Sequence, residues 1–264
     1  MKPVPFVKAA ACGNDFLLIE AALMEGDKAE FTREICDRHR GVGADGVEWL
    51  SPANGTADLE IHLINADGSK AEISGNGTRC VAAHWVSGKN IDRVTIQTDA
   101  GIKVCSLTRR AGQEFEFETE MGQATVAEPV QLNLKNGSMR GIPVSTGNPH
   151  FVIFVDEFPL GWQVQAAEIG AHPHFPDGVN VEFVKVLSQE SIEIRIYERG
   201  AGETQSSGTG SCAAAVAACA AERAHSPVEV RAPGGSQTVR WENGEITLRG
   251  PARLICHGEF LWTA

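Results

Sequence analysis

Apolar and polar residues alternate in short runs along most of the chain, and that period of two predicts strands more often than helices. Runs at residues 4–8, 16–20, 59–65, 94–98, 102–107 and 114–118 are rich in β-branched or aromatic residues, with Gly, Asn and Asp between them. A continuous apolar run follows at 151–155, an alternating one at 192–197, and shorter ones at 228–231, 238–241 and 246–249. Helical spacing is confined to 32–39, 78–87 and 210–224. The last segment is nearly all Ala, Cys and Val, which predicts a helix buried on most sides and thin enough for strands to pack closely around it.

The order of these elements repeats. Strands, a Gly-rich phrase, a buried helix and further strands occur before and after about residue 118, with no Pro/Ser-rich linker between. At 264 residues the chain can form one large domain or two small ones, each with its own core. The pattern predicts an α+β protein of two similar lobes with a cleft between them, where binding sites commonly lie.

The phrase itself is duplicated, as Ser74-Gly75-Asn76-Gly77 and Ser207-Gly208-Thr209-Gly210. Each copy leads into a Cys and an Ala-containing helical run. Glycines let backbone approach a ligand, and the unpaired amides at a helix start attract an anion or developing negative charge. A single copy reads equally well as a turn with a Ser N-cap. Two copies, with Asn, Glu and Arg beside them, predict one site built from two related halves.

Charge and cysteine usage narrow the function. The net charge of −11 comes from scattered acidic residues, which argues against an extended basic surface for nucleic acid. No apolar stretch approaches the ~20 residues of a membrane span, and the N-terminus lacks a signal-peptide apolar region, so a cytoplasmic protein with no membrane partner is expected. The seven cysteines, Cys12, Cys36, Cys80, Cys105, Cys212, Cys219 and Cys256, are odd in number and contain no C-x-x-C pair. That fits reduced thiols, most of them in the core, better than disulfides or a zinc site.

Several motifs are weak competitors. Gly41-Val42-Gly43-Ala44-Asp45-Gly46 matches G-x-G-x-x-G but follows a predicted helix instead of a strand, which disfavours a dinucleotide fold. His172-Pro173-His174 reads as a loop, not a metal pair. Ser207 is not in G-x-S-x-G, and no lysine is marked for a pyridoxal Schiff base.

Ordered blocks along nearly the whole chain resemble the diaminopimelate epimerases, members of the cofactor-independent two-base racemase superfamily. Besides the duplicated phrase, they include Phe6-Val7-Lys8, Gly13-Asn14-Asp15-Phe16, Asp37-Arg38-His39 with Gly41 to Gly46, Gly147-Asn148-Pro149-His150, Phe175 to Val181, Pro233-Gly234-Gly235 and Gly250-Pro251-Ala252. The resemblance implies two pseudo-symmetric lobes, each a barrel-like sheet around a central helix. It places an N-terminal lobe at 1–118, joined by a returning strand at 254–264, and a C-terminal lobe at 119–253. The implied reaction interconverts LL- and meso-diaminopimelate, in lysine and peptidoglycan precursor biosynthesis, by proton transfer on both faces of Cα, without pyridoxal phosphate, other cofactor or metal.

By the same resemblance, Ser74 and Ser207 occupy the family's two catalytic cysteine positions, and His150 and Glu198 orient or assist the acid/base groups. Asn14, Asn65, Asn148, Asn180 and Arg199 surround the substrate, while Gly75, Asn76, Gly77, Gly208 and Thr209 contact its reacting end. Gly46 stands where some relatives carry a side chain able to touch substrate. A homodimer is common in the family, although no interface stripe is legible here.

A serine hydroxyl is a far weaker acid than a thiol, whose ordinary pKa of about 8.5 a helix N-terminus lowers further. The chain as written is therefore expected to be a poor epimerase or an inactive one. Three explanations of the serines stand open: deliberate replacement of two reactive thiols, a homologue whose chemistry has moved to another racemisation or a dehydration, and an amino acid binding protein without turnover.

Overall fold

The computed structural model describes residues 2–262, which form an α+β protein of two compact units, residues 2–119 with 250–262 and residues 120–249. These limits differ by a residue at the first junction from the sequence reading, and the strand that returns to the first unit does so from Gly250.

The first unit runs β1 (Lys2–Ala11), β2 (Asn14–Glu20), α1 (Lys28–Cys36), β3 (Gly46–Ser51), β4 (Leu59–Asn65), β5 (Lys70–Ala71), α2 (Gly75–Val86), β6 (Arg93–Thr98), β7 (Gly101–Ala111) and β8 (Glu114–Gln123). The second runs β9 (Thr125–Val126), β10 (Val130–Leu134), β11 (Gly137–Ser145), β12 (Pro149–Phe154), α3 (Trp162–Gly170), β13 (Asn180–Ser188), β14 (Ser191–Glu198), β15 (Gly202–Thr204), α4 (Gly208–Ala220), β16 (Val228–Ala232) and β17 (Gly235–Glu242). The long β18 (Glu245–Trp262) pairs with β17 through its first residues and with β1 from Arg253 onward.

The two units repeat one wiring. In the first, β2 and β3 are parallel across α1, β3 and β4 antiparallel, and β4 and β6 parallel across α2. In the second, β12, β13, β14 and β16 repeat those three relations across α3 and α4. Pairings of β1 with β2 and β18, and of β18 with β8, close the first unit's sheet around α2. The core of that unit packs Val81, Ala82, Ala83 and Val86 of the helix against Phe16, Leu18, Ile61, Val94, Ile96 and Phe117. In the second unit, Cys212 to Ala218 of α4 pack against Val152, Val184, Ile194, Ile196, Val230 and Leu248. The small side chains predicted to permit close packing do line that contact.

The helix boundaries depart from the sequence reading for local reasons. Asp27 caps α1, accepting from the amides of Ala29 at 2.8 Å and Glu30 at 3.2 Å, so the helix starts before residue 32. Asp37 then turns the chain by accepting from the amides of His39 and Arg40, both at 2.8 Å, so the helix stops at Cys36 and not at His39. Similarly, α4 ends at Ala220 and not at 224, because Glu222 adopts φ +56°.

The pattern did not indicate β3, β10, β11, β13, α3 or the two- and three-residue strands β5, β9 and β15. β3 and the first five residues of β13 are buried on both faces, so alternation is lost there. In α3 only Trp162, Ala166 and Ile169 are buried, a stripe too narrow to stand out.

Candidate active site

In the first unit the site is organised by the start of α2. Ser74 is extended, its Oγ accepts from the Gly77 amide at 3.1 Å, and its carbonyl accepts from the Thr78 amide at 2.8 Å. Such a cap contributes about 1 kcal/mol to the helix and leaves the amides of Gly75 and Asn76 ahead of the helical ladder. Asn76 is buried, with its Nδ2 donating to Asn14 Oδ1 at 2.7 Å and its Oδ1 accepting from Arg79. The structure thus brings the two asparagines together.

Asn14 is held from behind by charge. Its Nδ2 donates to Asp45 Oδ2 at 3.0 Å, and Arg38 bridges Asp45 at 2.7 Å and Asp15 at 2.6 Å. Lys8 closes the group, 2.8 Å from Asp15, and donates to the Gly43 carbonyl at 2.6 Å. Burial alone would raise the Asp15 carboxyl, but hydrogen bonds from Arg38 and Lys8 hold it below its ordinary value. This network explains why Lys8, Asp15, Arg38 and Asp45 sit in the matched phrases, a role that sequence reasoning missed.

Asn65 ends β4, in register with Gly46, and its Nδ2 donates to Ser69 Oγ at 3.0 Å across the turn that follows. At Gly46, a Cβ would lie 2.7 Å from the Ile64 carbonyl oxygen, so this backbone admits no side chain there.

The second unit builds the corresponding arrangement at α4. Ser207 is nearly buried, its Oγ accepts from the Gly210 amide at 3.2 Å, and its carbonyl accepts from the Ser211 amide at 3.0 Å. A line of polar contacts then runs inward: Ser207 Oγ to Thr209 Oγ1 at 3.5 Å, Thr209 to Asn148 Nδ2 at 3.5 Å, Asn148 Oδ1 to His150 Nε2 at 3.0 Å, and His150 Nδ1 to Glu182 Oε1 at 2.7 Å. A contact of that last length needs one proton between the two groups. Burial raises the Glu182 carboxyl, outweighing the lowering by His150, and the neighbouring Glu198 charge adds to the rise.

The resemblance gave His150 and Glu198 as groups that orient or assist the acid/base positions; the hydrogen-bond partner of His150 is Glu182. Glu198 ends β14, half-buried, beside Arg199. Asn180 ties this end to the site strand: its Nδ2 donates to the Pro149 carbonyl at 2.9 Å, and its Oδ1 accepts from the Arg199 amide at 2.9 Å. The Arg199 side chain is exposed and donates to the Asp177 carbonyl at 2.9 Å.

Two buried carboxyls therefore underlie the two loops. Glu182 Oε1 would lie 2.8 Å from a Cβ at Gly210, and Glu48 Oε1 is still closer to the Cβ position of Gly77. In both loops the glycine three residues after the serine is required because a carboxyl fills the space below it. Burial pushes the Glu48 carboxyl up to about 8. Neither acid was singled out from sequence. The signal was an acid inside an apolar run, in Val47-Glu48-Trp49-Leu50 and Val181-Glu182-Phe183-Val184.

The competing motifs stay in loops. Gly41 to Gly46 follow α1, with the Gly41 amide donating to the Asp37 carbonyl, and His172-Pro173-His174 form a turn in which the His174 amide donates to His172 Nδ1 at 3.1 Å. Among the described residues no group of three or more His, Cys, Asp or Glu is placed to hold a metal. No helix among them is long and apolar enough to cross a membrane. The bonds formed by Ser207 Oγ run to its own loop and not to a base, unlike those of an activated hydroxyl nucleophile.

The chain is similar to known proteins over nearly its whole length. The family model described as Diaminopimelate epimerase matches residues 6–127 and 142–255. A diaminopimelate epimerase from Pelotomaculum thermopropionicum is 35% identical, over 97% of this chain and 98% of that protein. Among solved structures, a Bacillus anthracis phenazine biosynthesis protein of the PhzF family aligns with a TM-score of 0.76 at 14% identity, over 99% of this chain and 100% of that one. A hydroxyproline epimerase from Agrobacterium vitis, with bound trans-4-hydroxy-L-proline, aligns with a TM-score of 0.71 at 18% identity, over 98% and 91%. At such identities the solved structures share the fold alone.

Proposed function

The chain belongs to the diaminopimelate epimerase family, a family of isomerases, and from that premise we propose that it binds diaminopimelate, with the Ser74 and Ser207 loops at the family's two acid/base positions. The observation that carries this reading is the duplicated helix start: in both units a Ser-capped, Gly-containing first turn sits over a buried carboxyl, flanked by an Asn from a Gly-Asn pair.

Chemically, removing a proton from Cα leaves charge that spreads onto the α-carboxylate. First-turn amides aimed at that carboxylate stabilise the charge where it develops and hold the group in register. The Asn14–Asn76 pair, braced by Asp45 and Arg38, and the Asn148–Thr209 contact, braced by His150 and Glu182, fix the two loops. Arg199 offers a guanidinium to the distal carboxylate, which it can grip through two parallel hydrogen bonds. Its backbone is positioned by Asn180 while its side chain is exposed.

What the chain lacks is acidity at the two transfer positions. Both serine hydroxyls accept from their own helix amides, which stabilises the helix but does not supply a base that could take the hydroxyl proton. This favours recognition with little or no turnover. Titration calorimetry with meso-diaminopimelate, proline and trans-4-hydroxyproline tests the reading. Binding of diaminopimelate in preference to the two cyclic amino acids is expected, because they lack a distal carboxylate for Arg199. Equal or stronger binding of proline would overturn it.

A further inference from the structure

Glu48 is fully buried, and both of its carboxyl oxygens lack a hydrogen-bond partner among the described residues. Its neighbours in register are Leu18 on β2 and Leu63 on β4, and it lies against the third residue of α2's first turn, Gly77. A carboxyl group in such a place is costly unless it stays protonated. Nothing in packing requires it, since the flanking positions are apolar.

The second unit shows what the position can do. Glu182 occupies the equivalent place, in register with Val152 on β12 and Ile196 on β14, under Gly210 of α4. There the residue two before Val152 is His150, which bonds to Glu182; in the first unit the residue two before Leu18 is Phe16, which offers no partner. The two loops thus rest on unlike supports, an imidazole–carboxyl pair under one and a lone carboxyl under the other.

We propose that Glu48 is a positioning residue that gates the Ser74 loop by its protonation: as the neutral acid it leaves the first turn of α2 free to hold the substrate's carboxylate, and as the anion it occupies that turn's field and weakens the hold. The inference rests on the binding role proposed above for the loop. The transition falls in the neutral to mildly alkaline range, because burial pushes Glu48 up to about 8. The thiol of Cys80 on α2, which feels the Glu48 charge, is pushed up by burial, and Asp15, at the start of β2, is held below its ordinary value. The charged Arg79 of α2 is engaged with Asn76 and the Pro251 carbonyl.

The experiment is calorimetric affinity for meso-diaminopimelate from about pH 6 to pH 9, on the chain as it stands and on Glu48→Gln. The amide cannot ionise, so the variant carries the ligand's own titration and every other group's. The ratio of the two affinities is expected to be constant below about pH 7 and to change about tenfold by pH 9, the chain as it stands losing affinity, as befits a charge acting at a helix start. A ratio constant across the range overturns the gate. Absence of binding by either protein at every pH overturns the proposed function, and the gate with it. Glu48→Leu covers a failure of the Gln variant to fold: it too is expected to lose the alkaline change in affinity, and retaining it would overturn the assignment to Glu48.

Discussion

Replacing Glu48 by Gln should change how stability depends on pH, and the structure sets both the sign and the size. The native carboxyl is buried and titrates at about 8, whereas an unfolded glutamate titrates near its ordinary value of 4.5. Between those values the unfolded chain has released a proton that the folded chain keeps, so stability falls as pH rises across the interval and levels off above it. At about 1.4 kcal/mol per pH unit, the loss amounts to about 5 kcal/mol, a large share of a typical 5–15 kcal/mol. Glu48→Gln keeps the shape of the acid and cannot ionise. Urea unfolding of both proteins at several values from about pH 4.5 to pH 9 should give curves that agree in acid and diverge with rising pH, the variant becoming the more stable. Glu182, present in both, cancels in the difference. A difference that stays flat across the interval would refute the assignment of an elevated carboxyl to this position.

Other variants read neighbouring features. Gly77→Ala places a methyl group against Glu48 and should destabilise the protein by about 1–3 kcal/mol despite the better helix propensity of Ala, with most of the loss recovered in Gly77→Ala/Glu48→Ala; chemical denaturation checks it. Arg38→Ala removes the bridge between Asp15 and Asp45 and should cost about 1 kcal/mol near neutral pH. Because the native Asp15 value is lowered, that difference should shrink as pH falls below about 4, which acid titration of the two unfolding curves would reveal. Arg199→Lys should weaken diaminopimelate binding by about tenfold while leaving stability unchanged, since the exposed side chain's gripping geometry is lost but the backbone contact with Asn180 remains; calorimetry with unfolding on the same samples separates the two.

The sequence was informative where one physical signal acted alone. Alternation located β4, β6 and β14, and the run of Ala, Cys and Val located α4, because these elements present one face, or no polar face, to their surroundings. The duplicated Ser-Gly phrase gave the two helix starts, since capping is decided by adjacent residues. Elements decided by distant packing stayed hidden. β3 and the first five residues of β13 are covered on both faces, and the acids within them gain meaning only under Gly77 and Gly210, which come later in the chain. The pairing of His150 with Glu182 likewise depends on strand register, β12 lying parallel to β13. The Lys8–Asp15–Arg38–Asp45 group joins three separate segments, and no local spacing announces it.

The central claim is that these loops are the acid/base positions of an epimerase scaffold and that their serines limit the chemistry. Proton NMR of LL-diaminopimelate in deuterated water tests it most directly, on the chain as it stands and on Ser74→Cys/Ser207→Cys. The account predicts that the serine protein broadens the ligand signals but leaves the Cα proton in place, while the double variant exchanges that proton for deuterium and yields the meso form. Inversion by the serine protein at a similar rate, or none after both thiols are present, would contradict it.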